Sequence, residues 1–173
     1  MANNINLVEY IDQIADFPSQ GILYYDISTL IGNATAWSET VSRLCTIIQP
    51  HNPDLVFGIE SRGFLVAASL GLRLNIGMQM IRKKGKLPGP TVSHTYELEY
   101  GSDILEVQKK VSVKGQRVVI VDDVLATGGT LAAATTLVRQ IGAQVACSAC
   151  IIELSFLEGR KQLNAPFHSL VTF

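Results

Sequence analysis

The chain has 173 residues, of which 47% are hydrophobic and 17% charged, with a formal net charge of −1. That size and balance suit one globular domain spanning residues 1–173 and argue against disorder. Near-neutral charge argues against a non-specific nucleic-acid binder, so an anionic substrate must be met by locally clustered cations.

No apolar run approaches membrane-spanning length, and Met1 to Ile5 lack the basic start of a secretory signal. Leu7, Val8, Ile11 and Ile14 recur at helical spacing, which predicts an amphipathic helix over about 4–15. Phe17-Pro18 ends it and Gly21 marks a turn. The aromatic segment from Gly21 to Ser28 reads as a packed connector. A second helix is expected near 36–48, with Trp37, Val41, Leu44 and Ile48 inward. Pro50 and Pro53 then break the chain.

Leu55 to Ile59 reads as a buried strand, followed by Glu60-Ser61-Arg62-Gly63 and a helical run from Phe64 to Leu74. In such a strand–turn–helix unit Arg62 is placed to bind an anion with its fork of donors. Met78 to Ile81 is a third strand, and Arg82-Lys83-Lys84-Gly85-Lys86 stands at its exit. Such a run is commonly a solvated face; here it opens a long loop with Pro88-Gly89-Pro90, as active-site lids do. Tyr96, Leu98 and Tyr100 alternate with Glu97 and Glu99. Beyond a turn at Gly101 to Asp103, Ile104 to Val107 completes a hairpin-like flap.

Val118-Val119-Ile120-Val121 is the strongest strand signal, buried on both faces as in a parallel sheet. Asp122 and Asp123 sit where that strand should end. Ala126-Thr127-Gly128-Gly129-Thr130 turns into a helix running to Ile141. Ligands in open α/β sheets bind at the carboxyl ends of strands, and amides exposed at a helix N-terminus suit a phosphate. The stretch is thus a phosphate cradle beside two carboxylates that could hold sugar hydroxyls or Mg²⁺. No lysine follows the glycines, which excludes a P-loop, and no GxGxxG follows a strand. A strand over 144–154 comes next, then a helical stretch over 157–163 and a last strand near 169–173. Cys147 and Cys150 invite a zinc or redox reading. Strand neighbours three apart point to opposite faces, however, and no second ligand pair accompanies them. With Cys45 they read as free thiols, and the chain as cytoplasmic.

Taken together, the thirteen residues from Val118 to Thr130 resemble the phosphoribosyl-pyrophosphate (PRPP) motif of type I phosphoribosyltransferases. Phe17-Pro18 with Gly21 and Asp26-Ile27-Ser28, Glu60 to Phe64, Arg82 to Pro90, and Tyr96 to Gly101 narrow the resemblance to the adenine phosphoribosyltransferase family, over nearly the whole chain. It implies a mostly parallel α/β sheet flanked by helices, an N-terminal helix and base-binding segment over about 1–30, and a flexible lid over about 83–107. It also implies purine salvage: adenine and PRPP become AMP and diphosphate, with Mg²⁺, in a homodimer.

By that resemblance Asp122 and Asp123 hold the ribose, and Ala126, Thr127, Gly128, Gly129 and Thr130 grip the 5′-phosphate. Ser61, Arg62, Arg82, Lys83 and Lys86 face the pyrophosphate, and Glu99 is the proton donor to adenine. Leu23, Tyr24, Tyr25 and Leu154 flank the base; at Tyr25 several relatives carry arginine. Mg²⁺ would be bound mainly through PRPP, with Asp122 and Asp123 as candidate protein ligands. The rival readings are a 6-oxopurine transferase using hypoxanthine, guanine or xanthine, and a non-catalytic PRPP-responsive binding protein. The resemblance implies neither a nucleic-acid nor a membrane partner.

Overall fold

The computed structural model describes residues 5–97 and 101–173. In chain order the N-terminal part comprises β1 (Asp12–Ala15), β2 (Leu23–Asp26), α1 (Ser28–Gly32) and α2 (Ala34–Ile48). Then come β3 (Leu55–Ile59), α3 (Gly63–Leu74), β4 (Gly77–Lys83), β5 (Thr91–Glu97) and β6 (Ser102–Gln108). The chain finishes with β7 (Arg117–Leu125), α4 (Gly129–Gln140), β8 (Gln144–Glu153) and β9 (Phe167–Thr172).

The four residues Val118 to Val121 are 0% exposed, which makes β7 the middle of the core. It pairs in parallel with β3 on one side and β8 on the other, in a seven-stranded sheet ordered β5-β6-β4-β3-β7-β8-β9. β4 and β9 extend the parallel part. Alternation along β7 feeds two apolar clusters. Val119 and Val121 pack on the side of α2 and α3, while Val118 and Ile120 pack on the side of α4. This is the doubly covered sheet that continuous β-branched runs require.

Helix ends follow local chemistry. The Asn33 carboxamide caps α2 by accepting from the Thr35 and Ala36 amides at 3.1 and 3.0 Å. At the start of α3, a methyl on Gly63 would run into the Val121 carbonyl and the Asp122 side chain. Its absence lets the helix N-terminus approach β7.

The structure departs from the periodicity at four places. Residues 5–15 form no α-helix: a 3₁₀ turn at Leu7–Tyr10 leads into β1, which pairs antiparallel with β2. Only half of the apolar spacing is used, with Leu7 and Ile11 buried but Val8 and Ile14 about half exposed. Backbone pairing with β2 gives this stretch partners that a lone short helix lacks. Second, the expected helix over 157–163 is two 3₁₀ turns, Ser155–Leu157 and Gly159–Gln162, split at Glu158, whose φ is +53°.

Third, β7 does not stop at the acids. It runs through them to Leu125, because the ten-residue β8 offers pairing as far as Leu125↔Glu153. Fourth, the flap begins at Thr91 rather than Tyr96. β5 and β6 pair from Thr91↔Gln108 to Glu97↔Ser102, and β6 joins β4 antiparallel. The flap is therefore the edge of the main sheet.

Candidate active site

Three connections converge at the carboxyl ends of the parallel strands: the β7–α4 turn, the β3–α3 turn and the β2 segment. They enclose a cavity of about 650 Å³, the size of an ordinary small-molecule site. Leu23, Tyr24, Tyr25, Ser61, Arg62, Lys83, Asp122, Asp123, Ala126, Thr130 and Leu154, all singled out in the sequence, line it. Thr127 and Gly128 line a smaller recess of about 90 Å³ that shares Asp122, Ala126 and Thr130 with it.

The β7–α4 turn owes its shape to Gly128, whose φ of +88° places it in the left-handed region at the N-cap of α4. A methyl there would also collide with the Gly159 carbonyl, and one on Gly159 with the Ala126 carbonyl. The 3₁₀ turn at Gly159–Gln162 thus presses against the back of the loop, backbone to backbone. The amides opening α4 have no intrahelical acceptor and carry the positive end of the helix dipole, which suits a phosphate.

Asp122 and Asp123 stand on β7 above that loop. Asp123 is buried and meets the Arg62 Nε through Oδ2 at 2.7 Å. That contact is a charge pairing without hydrogen-bond alignment, so Oδ2 keeps an unsatisfied lone pair. Asp122 accepts the Asp123 amide at 2.9 Å. Loss of water, then the neighbouring Asp123 carboxylate, hold the Asp122 carboxyl well above its usual range. One guanidinium does not neutralise two adjoining acids. The arrangement suits a further cation or hydroxyl donors.

On the base side, the Arg62 Nη1 donates to the Tyr24 hydroxyl, and its guanidinium carbon lies 5.0 Å from the centre of that ring. Phe17 meets the Tyr24 ring edge-on at 5.0 Å. Tyr25 is buried and packs on Phe173 with ring centres 4.6 Å apart. Leu23, Tyr24 and Leu154 give the cavity apolar surface and an aromatic ring, which suits a planar heterocycle.

The cationic run behaves unevenly. Lys83 reaches the cavity and pairs with Asp103 at 3.1 Å. Arg82 does not line the cavity: it donates to both Glu60 carboxylate oxygens, at 3.2 and 2.9 Å, and to the Lys86 carbonyl. Its guanidinium in turn keeps the Glu60 carboxyl below the usual range. Lys86 is exposed on the turn outside the lining. Leu98, Glu99 and Tyr100 lie outside the described residues.

Sequence reasoning missed four contributors. The Tyr96 hydroxyl lies 3.3 Å from the Thr130 Oγ1, tying the flap to the β7–α4 turn. Glu60 and Asp103 hold the cations, and Gly159 backs the loop. Tyr96 was visible as an alternating aromatic; nothing local pointed from Gly159 to Gly128, which are neighbours only through the fold.

The family model described as the phosphoribosyl transferase domain matches residues 25–169. An adenine phosphoribosyltransferase of Rhodospirillum rubrum is 56% identical over 169 residues, covering 98% of this chain and 99% of its own. The crystal structure of adenine phosphoribosyltransferase from Thermoanaerobacter pseudethanolicus superposes with a TM-score of 0.93 at 44% identity, over 97% and 100% of the two chains. The Saccharomyces cerevisiae enzyme, complexed with an imino-altritol bisphosphate and adenine, gives 0.91 at 40% identity, over 95% and 96%.

Proposed function

The chain belongs to the adenine phosphoribosyltransferase family, and from that premise we infer how its cavity carries adenine and PRPP to AMP and diphosphate. The single observation behind the reading is the junction of two sites in one cavity. A glycine turn at the N-terminus of α4, under two carboxylates, opens onto the part of the cavity lined by Leu23, Tyr24 and Leu154.

The reaction breaks the C1′–O bond to diphosphate while N9 of adenine attacks from the opposite face. The ribose gains oxocarbenium character between the two events. Catalysis then requires that the sugar be held in line and that the departing charge be neutralised. The loop over 126–130 is assigned to the 5′-phosphate through its amides and threonine hydroxyls. Asp122 and Asp123 are assigned to the ribose hydroxyls, for which the unsatisfied lone pair of Asp123 is a ready acceptor.

Ser61 and Arg62 face the diphosphate from the β3–α3 turn, and Lys83 from the end of β4. Arg82 serves by fixing Glu60 against the turn. Phosphoribosyltransferases of this kind generally use Mg²⁺ with PRPP. Held mainly by PRPP, with the Asp122 and Asp123 pair beside it, the ion would offset charge on the leaving group.

Glu99 follows β5 in sequence, and the Glu97 carbonyl lies 4.0 Å from where a Cβ on Gly129 would stand. The flap end therefore approaches the phosphate loop, which supports Glu99 at adenine N7, where its carboxylate would accept the proton the base must lose as N9 attacks and return it in the reverse reaction. Closure and loss of water would make that carboxylate a stronger base. Residues 83–107 act as the lid. The chain works as a homodimer in the cytoplasm, a reading supported by three unpaired buried cysteines and an apolar strip along α2 and α3.

Diphosphate release with adenine, PRPP and Mg²⁺, run beside hypoxanthine, tests the reading. Turnover with adenine and little with hypoxanthine is expected. Preference for a 6-oxopurine would overturn the base assignment, and PRPP binding without diphosphate release would favour a non-catalytic role.

A further inference from the structure

At the other end of the sheet the fold gathers three metal-ligating side chains that the reaction does not use. His51 ends the 3₁₀ turn Gln49–His51 after α2, Cys147 lies on β8, and His168 lies on β9 opposite Ala149. One ligand atom from each falls within 4.8 Å of the others. Cys147 is fully buried, and the two imidazoles are partly buried over it.

We propose that His51, Cys147 and His168 form a zinc site, with solvent as the fourth ligand. Imidazole nitrogen and thiolate sulfur are the donors that Zn²⁺ prefers, whereas Mg²⁺ and Ca²⁺ take oxygen. Bond lengths of about 2.0–2.1 Å to nitrogen and about 2.3 Å to sulfur put neighbouring donors about 3.3–3.6 Å apart in a tetrahedron. The facing Nε2 atoms of His51 and His168 stand 2.9 Å apart, with ring centres at 5.0 Å. Small ring movements would therefore reach the coordination distance. A cation between those nitrogens would replace the hydrogen bond they share.

The site is held from outside. Arg117 donates from Nε and Nη2 to the His51 carbonyl at 3.1 and 2.7 Å, while Asp54 accepts the Arg117 amide. The guanidinium adds positive charge nearby, but it anchors the turn that carries His51. Cys150, the other half of the Cys-x-x-Cys pair, points into the opposite cluster and takes no part. The level of Cys147 lies three residues below that of Asp122 along β8, about 10 Å away. The metal would thus pin the α2 exit to β8 and β9 without entering the adenine cavity.

The test is titration of the chelator-treated full chain with Zn²⁺, and with Co²⁺ as a spectroscopic probe, in the absence of PRPP. One equivalent is expected, with a thiolate-to-cobalt charge-transfer band, the visible bands of a four-coordinate ion, and a Tm several degrees higher with zinc. Cys147→Ala and the milder variant His51→Gln should each lose the charge-transfer band and the Tm rise. Adenine turnover should be unchanged in both. Cobalt bound without a thiolate band, as at the Asp122 and Asp123 carboxylates, would overturn the proposal. So would undiminished uptake in His51→Gln, or no uptake by the native chain.

Discussion

Asp122 is half-buried beside a second carboxylate, and burial followed by that neighbour holds its carboxyl above the usual range. A carboxyl with a raised folded pKa binds more protons in the native state than in the unfolded one. Its contribution to stability is present below the unfolded pKa and is lost as pH rises through the folded value. Asp122→Asn should therefore raise the Tm of the ligand-free protein near neutral pH and flatten its pH dependence. The same change would remove the ribose contact proposed for Asp122, so the KM for PRPP should rise about tenfold or more. Thermal melts across pH and steady-state kinetics check both halves, and a lowered Tm would contradict the charge argument. Glu99→Gln belongs at this scale too. It should lower kcat by about 10²-fold or more with little change in PRPP affinity. An unchanged kcat would remove the proton-transfer role.

At the scale of elements, the β7–α4 turn proposed to hold the 5′-phosphate is shaped from behind. The 3₁₀ turn carrying Gly159 is pulled onto β8 by Arg160, which donates to both Glu153 carboxylate oxygens, the Nη2 contact being 2.7 Å. Ser169 of β9 donates to the same carboxylate at 2.6 Å. Hydrogen bonding from Arg160 keeps the Glu153 carboxyl below its ordinary value of 4.5. A lowered pKa gives stability that is present above the unfolded value and lost as pH falls through the folded one. Arg160→Ala should cost about 1–2 kcal/mol at neutral pH, a figure discounted because Arg160 is half exposed. The gap from the parent should shrink as pH drops below 4.5. Because Gly159 backs Gly128, the KM for PRPP should rise several-fold as well. Urea unfolding at two pH values and PRPP kinetics test the chain of contacts.

At the scale of the whole molecule, the outer face of α2 and α3 carries no cover among the described residues. Leu72 on α3 is 87% exposed, and with Trp37 and Val41 of α2 it borders an apolar hollow. The homodimer proposal accounts for it: a second copy would remove this area from water. Leu72→Glu should shift the protein from dimer to monomer in light scattering at micromolar concentration, with the fold intact by circular dichroism. A variant that stays dimeric would place the subunit contact elsewhere.

Much of the molecule was legible in one dimension. The β-branched run of β7, the glycine turn after it and the apolar faces of α2, α3 and α4 each declare themselves within a dozen residues. They are set by local sterics and burial. The acid pair and the loop over 126–130 are likewise contiguous, so their union was readable. What needed the tertiary structure was every relation between segments far apart in the chain. The N-terminal stretch became a strand because β2 offered backbone partners, which outweighed a weak helical spacing. Arg82 turned to Glu60, Tyr96 reached Thr130, and Gly159 came to lie under Gly128. Cys147 met two histidines that no spacing rule would join to it. Periodicity reports which face of an element is apolar; which elements then touch is decided by the packing of the sheet and its two covering layers.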